Sequence, residues 1–133
     1  MNEKLRRIEA ADAPMIFGIS AVRIFVSDLH LALDFYTGLL ELQVSESADS
    51  SWALFRFSNV MLLVESVDPE SSEFGELVGR FTGVSFSTPD IHETFERLTA
   101  LGVRFEGPPG KQHLGGWLAH FHDSDSNILT LVG

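Results

Sequence analysis

The sequence predicts an α+β fold in which two βαβββ modules form mixed, curled sheets around a shared cavity. Three observations carry that expectation. The stretch Ser20–Val44, SAVRIFVSDLHLALDFYTGLLELQV, returns in outline as Thr82–Phe105, TGVSFSTPDIHETFERLTALGVRF, so one unit is used twice. In both copies a run alternating with period two gives way, at an aspartate, to a run with helical spacing. Each copy is followed by two further apolar runs, Trp52–Phe57 with Val60–Glu65 and Trp117–His122 with Ile128–Val132, spaced as hairpins are.

Met1–Pro14 is a mixed charged segment in which Leu5 and Ile8 could form one helical turn on the outside. Residues 1–18 read as an N-terminal extension and 19–133 as one domain: module one 19–66, a linker 67–79, module two 80–133. In the first strand Val22, Ile24 and Val26 alternate with Ala21, Arg23 and Phe25. Asp28 is a good N-cap for a helix whose stripe is Leu29, Leu33, Tyr36, Leu39 and Leu40. A short strand at Gln43–Glu46 and a polar turn at Ser47–Ser51 lead to the first hairpin, which turns at Ser58-Asn59. Val67–Gly79 is acidic, with a helical turn at Phe74–Val78. In module two Val84 and Phe86 face away from Gly83, Ser85 and Ser87. Asp90, with Glu93 one turn on, resembles a capping box, and the helix carries Ile91, Phe95, Leu98 and Leu101 before Gly102 ends it. Val103–Glu106 reads as a strand and Gly107–Gly116 as a mobile flap or simple connection. A hairpin turning on DSDSN closes the chain. Strands one and two of each module should run parallel and the other two meander back, with the helix on one face. Phe55, Phe57, Phe86 and Phe95 read as ordinary core.

A chain of 133 residues fits one domain, long enough to bury about two-thirds of its unfolded surface. With 19 acidic and 9 basic residues its formal charge is −10, so nucleic acid and anionic membranes would be repelled. No cysteine is present, which excludes disulfides and thiolate zinc sites. No leader pattern and no apolar stretch of membrane-spanning length is seen, and the expectation is a cytoplasmic protein.

The motif V-x-I-x-V-S-D-L with its D-F-Y-x-x-L-L-E-L helix, then T-P-D-I-H with a helix ending in L-G-V-x-F, then F-H-D-S-D-S-N-I-L-T-L, resembles the vicinal oxygen chelate superfamily. That is the superfamily of glyoxalases, bleomycin-resistance proteins and extradiol dioxygenases. The resemblance covers Ile19 to Val132 and implies the glyoxalase/bleomycin-resistance fold. It also implies a divalent metal held on the first and last strands of each module, at positions occupied here by Ala21, Gly83, Thr130 and Leu63. None is a good ligand for a divalent ion, so the expectation is no metal and no other cofactor. Small-molecule binding in the manner of the bleomycin-resistance branch follows.

The candidate ligand-binding residues are Arg23, Phe25, Met61 and Leu63 from module one and Ser85, Leu118, His120 and Thr130 from module two: apolar walls with a few polar points. Ile128, Val132 and Ser87 would share these faces. Arg23 has two readings, a partner for Glu65 or an anchor for an anionic ligand group. The alternative to metal-free binding is a divergent lyase, isomerase or oxygenase that holds a divalent metal with His120, His122 and a third ligand from His113 or Asp123. His30 and His92 open their helices and should face solvent. Another reading is an assembly module with a vestigial cavity. Open strand edges and concave faces lead to a homodimer.

Overall fold

The computed structural model describes residues 14–133, so the turn expected at Leu5 and Ile8 lies outside the described residues. Module one runs β1 (Ala21–Val26), α1 (Leu29–Leu33), β2 (Glu46–Ala48), β3 (Trp52–Arg56) and β4 (Met61–Ser66). A short helix α2 (Phe74–Leu77) lies in the connection. Module two runs β5 (Phe81–Ser87), α3 (Ile91–Ala100), β6 (Gly110–Lys111), β7 (Trp117–His122) and β8 (Ile128–Val132). The sheets have equivalent orders, β1-β4-β3-β2 and β5-β8-β7-β6. In each, the first and last strands pair in parallel and the remaining pairs are antiparallel. The α+β expectation of two mixed four-stranded modules is therefore met.

Both helix starts are fixed by the predicted aspartates. Asp28 accepts from the amides of His30 and Leu31, and Asp90 from that of Glu93. The reciprocal half of the capping box, from the Glu93 carboxylate, is not formed. Gly102, at φ 95°, ends α3 in the left-handed region that favours glycine. From Asp34 to Leu39 the α1 helix widens into a π-helix. Its wider turn lets the adjacent side chains Phe35 and Tyr36 both be buried, with rings edge to face at 5.1 Å.

Ile24, Val26, Phe55, Leu62 and Val64 of the first sheet form one continuous core with Phe121, Leu129 and Leu131 of the second. Phe35 spans the two, stacking on Phe121 at 6.3 Å. The helix-bearing faces of the modules thus meet inside the chain and the other sheet faces turn outward, Arg23 and Ser85 being exposed.

Four local expectations need correcting. The second strand lies at Glu46–Ala48 and not at Gln43–Glu46, because it pairs with β3 through Glu46↔Leu54 and Ala48↔Trp52. Val103–Glu106 is not a strand of the sheet: it makes a single bridge, Phe105↔Phe121, and the edge strand is β6, inside the supposed flap. Leu101 is exposed, since it caps α3 beyond its buried stripe. Phe57 is also exposed rather than core, because it sits at the tip of the β3–β4 hairpin.

Candidate functional site

The two modules are held in register by the DSDSN turn. Tyr36 donates its hydroxyl to Asp123 at 2.7 Å, and Asp123 also accepts from the Asn127 side chain and from the amides of Asp125 and Asn127. Asn127 in turn donates to the Phe25 carbonyl on β1, and Asp125 accepts from the amide and hydroxyl of Ser27. Burial, followed by the charge of Asp123, pushes the Tyr36 hydroxyl well above its ordinary pKa, so it remains a donor. This junction fixes where β1 and β8 present their outward faces.

On the first sheet that face carries Arg23, Phe25, Met61 and Leu63, joined by Trp52 and Leu54, which pair with Glu65 and Leu63 from β3. Sequence reasoning passed over Trp52 and Leu54, although the alternation in WALFR places them opposite Ala53 and Phe55. Arg23 takes the first of its two readings in this structure: its Nε lies 2.7 Å from Glu65 Oε2 and its guanidinium 5.1 Å from the Phe25 ring centre. The hydrogen bond to Glu65, then the Glu65 charge, raises the Arg23 pKa further. A double-mutant cycle of Arg23→Ala and Glu65→Ala is expected to show a small positive coupling that shrinks with added salt, as exposed pairs do. Strictly additive melting temperatures would count against the pair.

On the second sheet the outward face carries Ser85, Leu118, His120 and Thr130. His120 Nδ1 lies 2.9 Å from the Thr130 hydroxyl, and its ring meets the edge of Phe81 at 5.5 Å. His122 is engaged at both nitrogens, Nδ1 by Arg104 at 3.0 Å and Nε2 by Glu106 at 3.3 Å. His30 and His92 are exposed, with His92 edge to face on Trp117 at 4.8 Å.

The strand register shows which residue of module one stands where Thr130 stands in module two. Arg23 pairs with Leu63 as Ser85 pairs with Thr130, and Arg23 and Ser85 stand at equal distances before the caps Asp28 and Asp90. Leu63 is therefore the module-one equivalent of Thr130. Gly83 lies at a shift of register between Phe81 and Ser85, with φ 74°. Methyl, isobutyl, hydrogen and an already bonded hydroxyl do not make a divalent site, so the residues present do not fit the metal that the fold implies. Among the described residues no three His, Asp or Glu side chains gather into a metal-binding group. Asp123 is committed to the junction, and His113 lies exposed on its loop.

Two concavities flank the tip of the β3–β4 hairpin. One, of about 570 Å³, opens between β1 and β5, with walls that include Leu39, Leu42, Phe57, Phe86, Leu98 and Phe121. Its rim carries the hydroxyls of Ser87, Thr88 and Thr94 and the ion pair of Arg97 with Glu41, 2.6 Å apart. The other, of about 720 Å³ and more open, lies between residues 15–20 and the same hairpin tip. Of the predicted ligand residues, Ser85 borders the first and Met61 the second; the rest lie outside both. Nothing in the alternation of single strands signals the first cleft, because it lies where the two modules meet.

The same order of elements recurs in known proteins. UcmS2 is 26% identical, with a TM-score of 0.75 over 89% of this chain and 98% of that one. A member of the glyoxalase/bleomycin resistance protein/dioxygenase superfamily from Sphaerobacter thermophilus DSM 20745 is 31% identical, with a TM-score of 0.69 over 90% and 98%. TnmS3, an antibiotic binding protein from Streptomyces sp. CB03234, is 25% identical, with a TM-score of 0.68 over 90% and 98%. The family profile itself matches residues 18–131, spanning both modules and the junction between them. With its repeated βαβββ order, its two capping aspartates and its closing turn all inside that match, the chain belongs to the Glyoxalase/Bleomycin resistance protein/Dioxygenase superfamily.

Proposed function

We propose that this protein binds and sequesters a small amphipathic or aromatic molecule without a metal or other cofactor, as a binding protein rather than an enzyme. The observation that carries this reading is the residue set at the four positions where the fold implies metal ligands: Ala21, Leu63, Gly83 and Thr130. The similarity to TnmS3, described as an antibiotic binding protein, supports the same class of activity.

The ligand is held by Arg23, Phe25, Met61 and Leu63 on one sheet and by Ser85, Leu118, His120 and Thr130 on the other. Within one chain these faces turn to opposite sides of the shared core, so a ligand touches both only in a homodimer, where the face of one copy meets the other face of its partner. Aromatic and aliphatic side chains supply the wall, and the Thr130–His120 pair and Ser85 supply the polar points that fix orientation. The net charge of −10 disfavours nucleic acid and anionic membrane, and no helix among the described residues is long and apolar enough to cross a bilayer. We place the protein in the cytoplasm.

Protein purified without chelators is expected to carry far less than one equivalent of Zn, Ni, Mn or Fe by elemental analysis. A planar aromatic ligand at about 100 times its Kd is expected to stabilise the fold by about 2.7 kcal/mol, a shift of roughly 10 °C in Tm. One equivalent of metal, lost in His120→Ala, would replace this reading with a lyase, isomerase or oxygenase using His120 and His122. Metal-free protein whose Tm no aromatic library shifts would leave an assembly module.

A further inference from the structure

Among the partly buried hydrophobic side chains packed on the core, Val22, Leu39, Leu40, Leu42, Val84 and Phe86 all border the cleft of about 570 Å³ between β1 and β5, and only Leu33 and Phe105 lie elsewhere. The core is thus left open chiefly at one place. Single apolar residues scattered over a surface are ordinary, but their concentration around a concavity within the roughly 300–1,000 Å³ of small-molecule sites is not. The backbone is unusual at the same place. The π-helix Asp34–Leu39 ends at the cleft wall, and Glu41 is held at φ 60°, in the left-handed region that a glutamate seldom adopts. Both kinds of departure collect at functional sites. Here they bring three leucines to the wall and Glu41 to the rim. Among the described residues the border carries three charges, Glu41, Glu93 and Arg97. Arg97 is bonded to Glu41 at 2.6 Å, whereas the Glu93 carboxylate completes no capping box and no cation among the described residues pairs with it.

We propose that the cleft between β1 and β5 is a second ligand site, which takes an apolar aromatic group carrying a protonated alkylamine. It goes beyond the binding proposed above: of the residues assigned to that ligand, only Ser85 borders the cleft. The ring packs on Phe57 and Phe86, whose centres are 6.5 Å apart, with Leu98 and Phe121 at the floor. The ammonium meets Glu93 and, beside it, the hydroxyls of Thr94 and Thr88, which lie 2.7 Å from one another. The edge strand β5 also borders the cleft, and its outward carbonyls accept from the same ammonium. Charge decides the sign of the ligand. Two carboxylates against one guanidinium leave the rim negative, and the whole chain carries −10. An anion would find only Arg97, already committed to Glu41, and would be repelled by Glu93. The wall is drawn from both modules, since Leu39 follows α1 and Leu98 lies on α3. A ligand held there therefore ties the modules together.

Two fluorescent probes with the same ring and opposite charge test this: dansylcadaverine, which ends in an ammonium, and dansylglycine, which ends in a carboxylate. Dansylcadaverine is expected to brighten on binding at low salt and to bind about tenfold more tightly than dansylglycine, with the difference shrinking as salt is added. Glu93 is exposed, so Glu93→Lys leaves the fold intact and is expected to reverse the order of the two probes. Should that reversal disturb the start of α3, Glu93→Gln is expected to weaken dansylcadaverine alone, by about fivefold. Phe57→Ala, at an exposed position, is expected to weaken both probes by about tenfold. Equal affinities of the two probes at low salt, or an order unchanged in both Glu93 variants, would overturn the site. Binding lost in Arg23→Ala or His120→Ala but kept in Glu93→Lys would put the probe on the outward faces, overturning the cleft site while supporting the binding function proposed above. Brightening that disappears as the protein is concentrated would show a second copy covering the cleft, and overturns it as well.

Discussion

Asp123→Ala is expected to lower the stability of the fold by about 3–5 kcal/mol, a fall of roughly 10–20 °C in Tm. The carboxylate is 7% exposed and accepts four hydrogen bonds: Tyr36 Oη at 2.7 Å, Asn127 Nδ2 at 3.0 Å, and the amides of Asp125 and Asn127 at 2.8 and 3.0 Å. Bonds to a charged acceptor are stronger than neutral ones, and the larger cost lies in what alanine leaves behind. Tyr36 and Asn127 are both 0% exposed, so neither can turn to water for a replacement. The Asn127 side chain would also loosen, and with it the bond to the Phe25 carbonyl that ties the closing turn to β1. Tyr36→Phe removes one donor and leaves the acceptor with three others, so it should cost only about 1–2 kcal/mol. Chemical denaturation of the two variants beside wild type checks the ranking. If Asp123→Ala were as mild as Tyr36→Phe, the turn would not be what couples the modules.

That coupling marks the boundary of what the sequence discloses. Caps are local, so Asp28 and Asp90 could be named from one turn of sequence, and both accept the amides expected of them. Alternation is local too, which is why β1, β5, β7 and β8 and the split between the Arg23 and Ile24 faces were readable. The pairing of Arg23 with Glu65 follows from the same logic, because the repeat puts the first and last strands of a module side by side. Short edge strands are another matter. Glu46–Ala48 and Gly110–Lys111 are short and mostly exposed, held by backbone pairing with only an exposed Arg56–Glu46 pair at 3.5 Å and a Gln112 side-chain bond to the Gly110 carbonyl beside it, so their side chains carry no period to read. The widening of α1 is equally silent, since its consequence is only that two adjacent aromatics are buried together.

The candidate site was legible face by face and not as an enclosure. Period two says which side chains share a side of a sheet; it does not say what that side looks toward. The cleft between β1 and β5 depends on how helix-bearing faces from two modules meet, through contacts such as Arg97 with Glu41 that join distant parts of the chain. Phe57 shows the difference. Its composition-based assignment is core, yet the tip of a hairpin leaves it 43% exposed beside Phe86, with ring centres 6.5 Å apart.

The same junction of modules predicts the outcome of Phe121→Ala: a loss of about 3–5 kcal/mol with a single unfolding transition retained. Phe121 is 1% exposed and its ring lies 5.4 Å from Phe105, 6.3 Å from Phe35 and 6.4 Å from Phe86. Two of those partners belong to module two, and Phe35 belongs to module one. Alanine therefore opens a cavity at the point where the cores join, and the surrounding aromatics, anchored on three different elements, cannot collapse into it. Phe121→Leu refills most of that volume and should recover more than half of the loss. Phe57→Ala, at an exposed tip, should cost under about 1 kcal/mol and serves as the control. Calorimetry separates two cases. If the modules share one core, Phe121→Ala shifts one sharp transition downward; two resolved transitions would mean that each module folds on its own and that Phe35 and Phe121 merely touch.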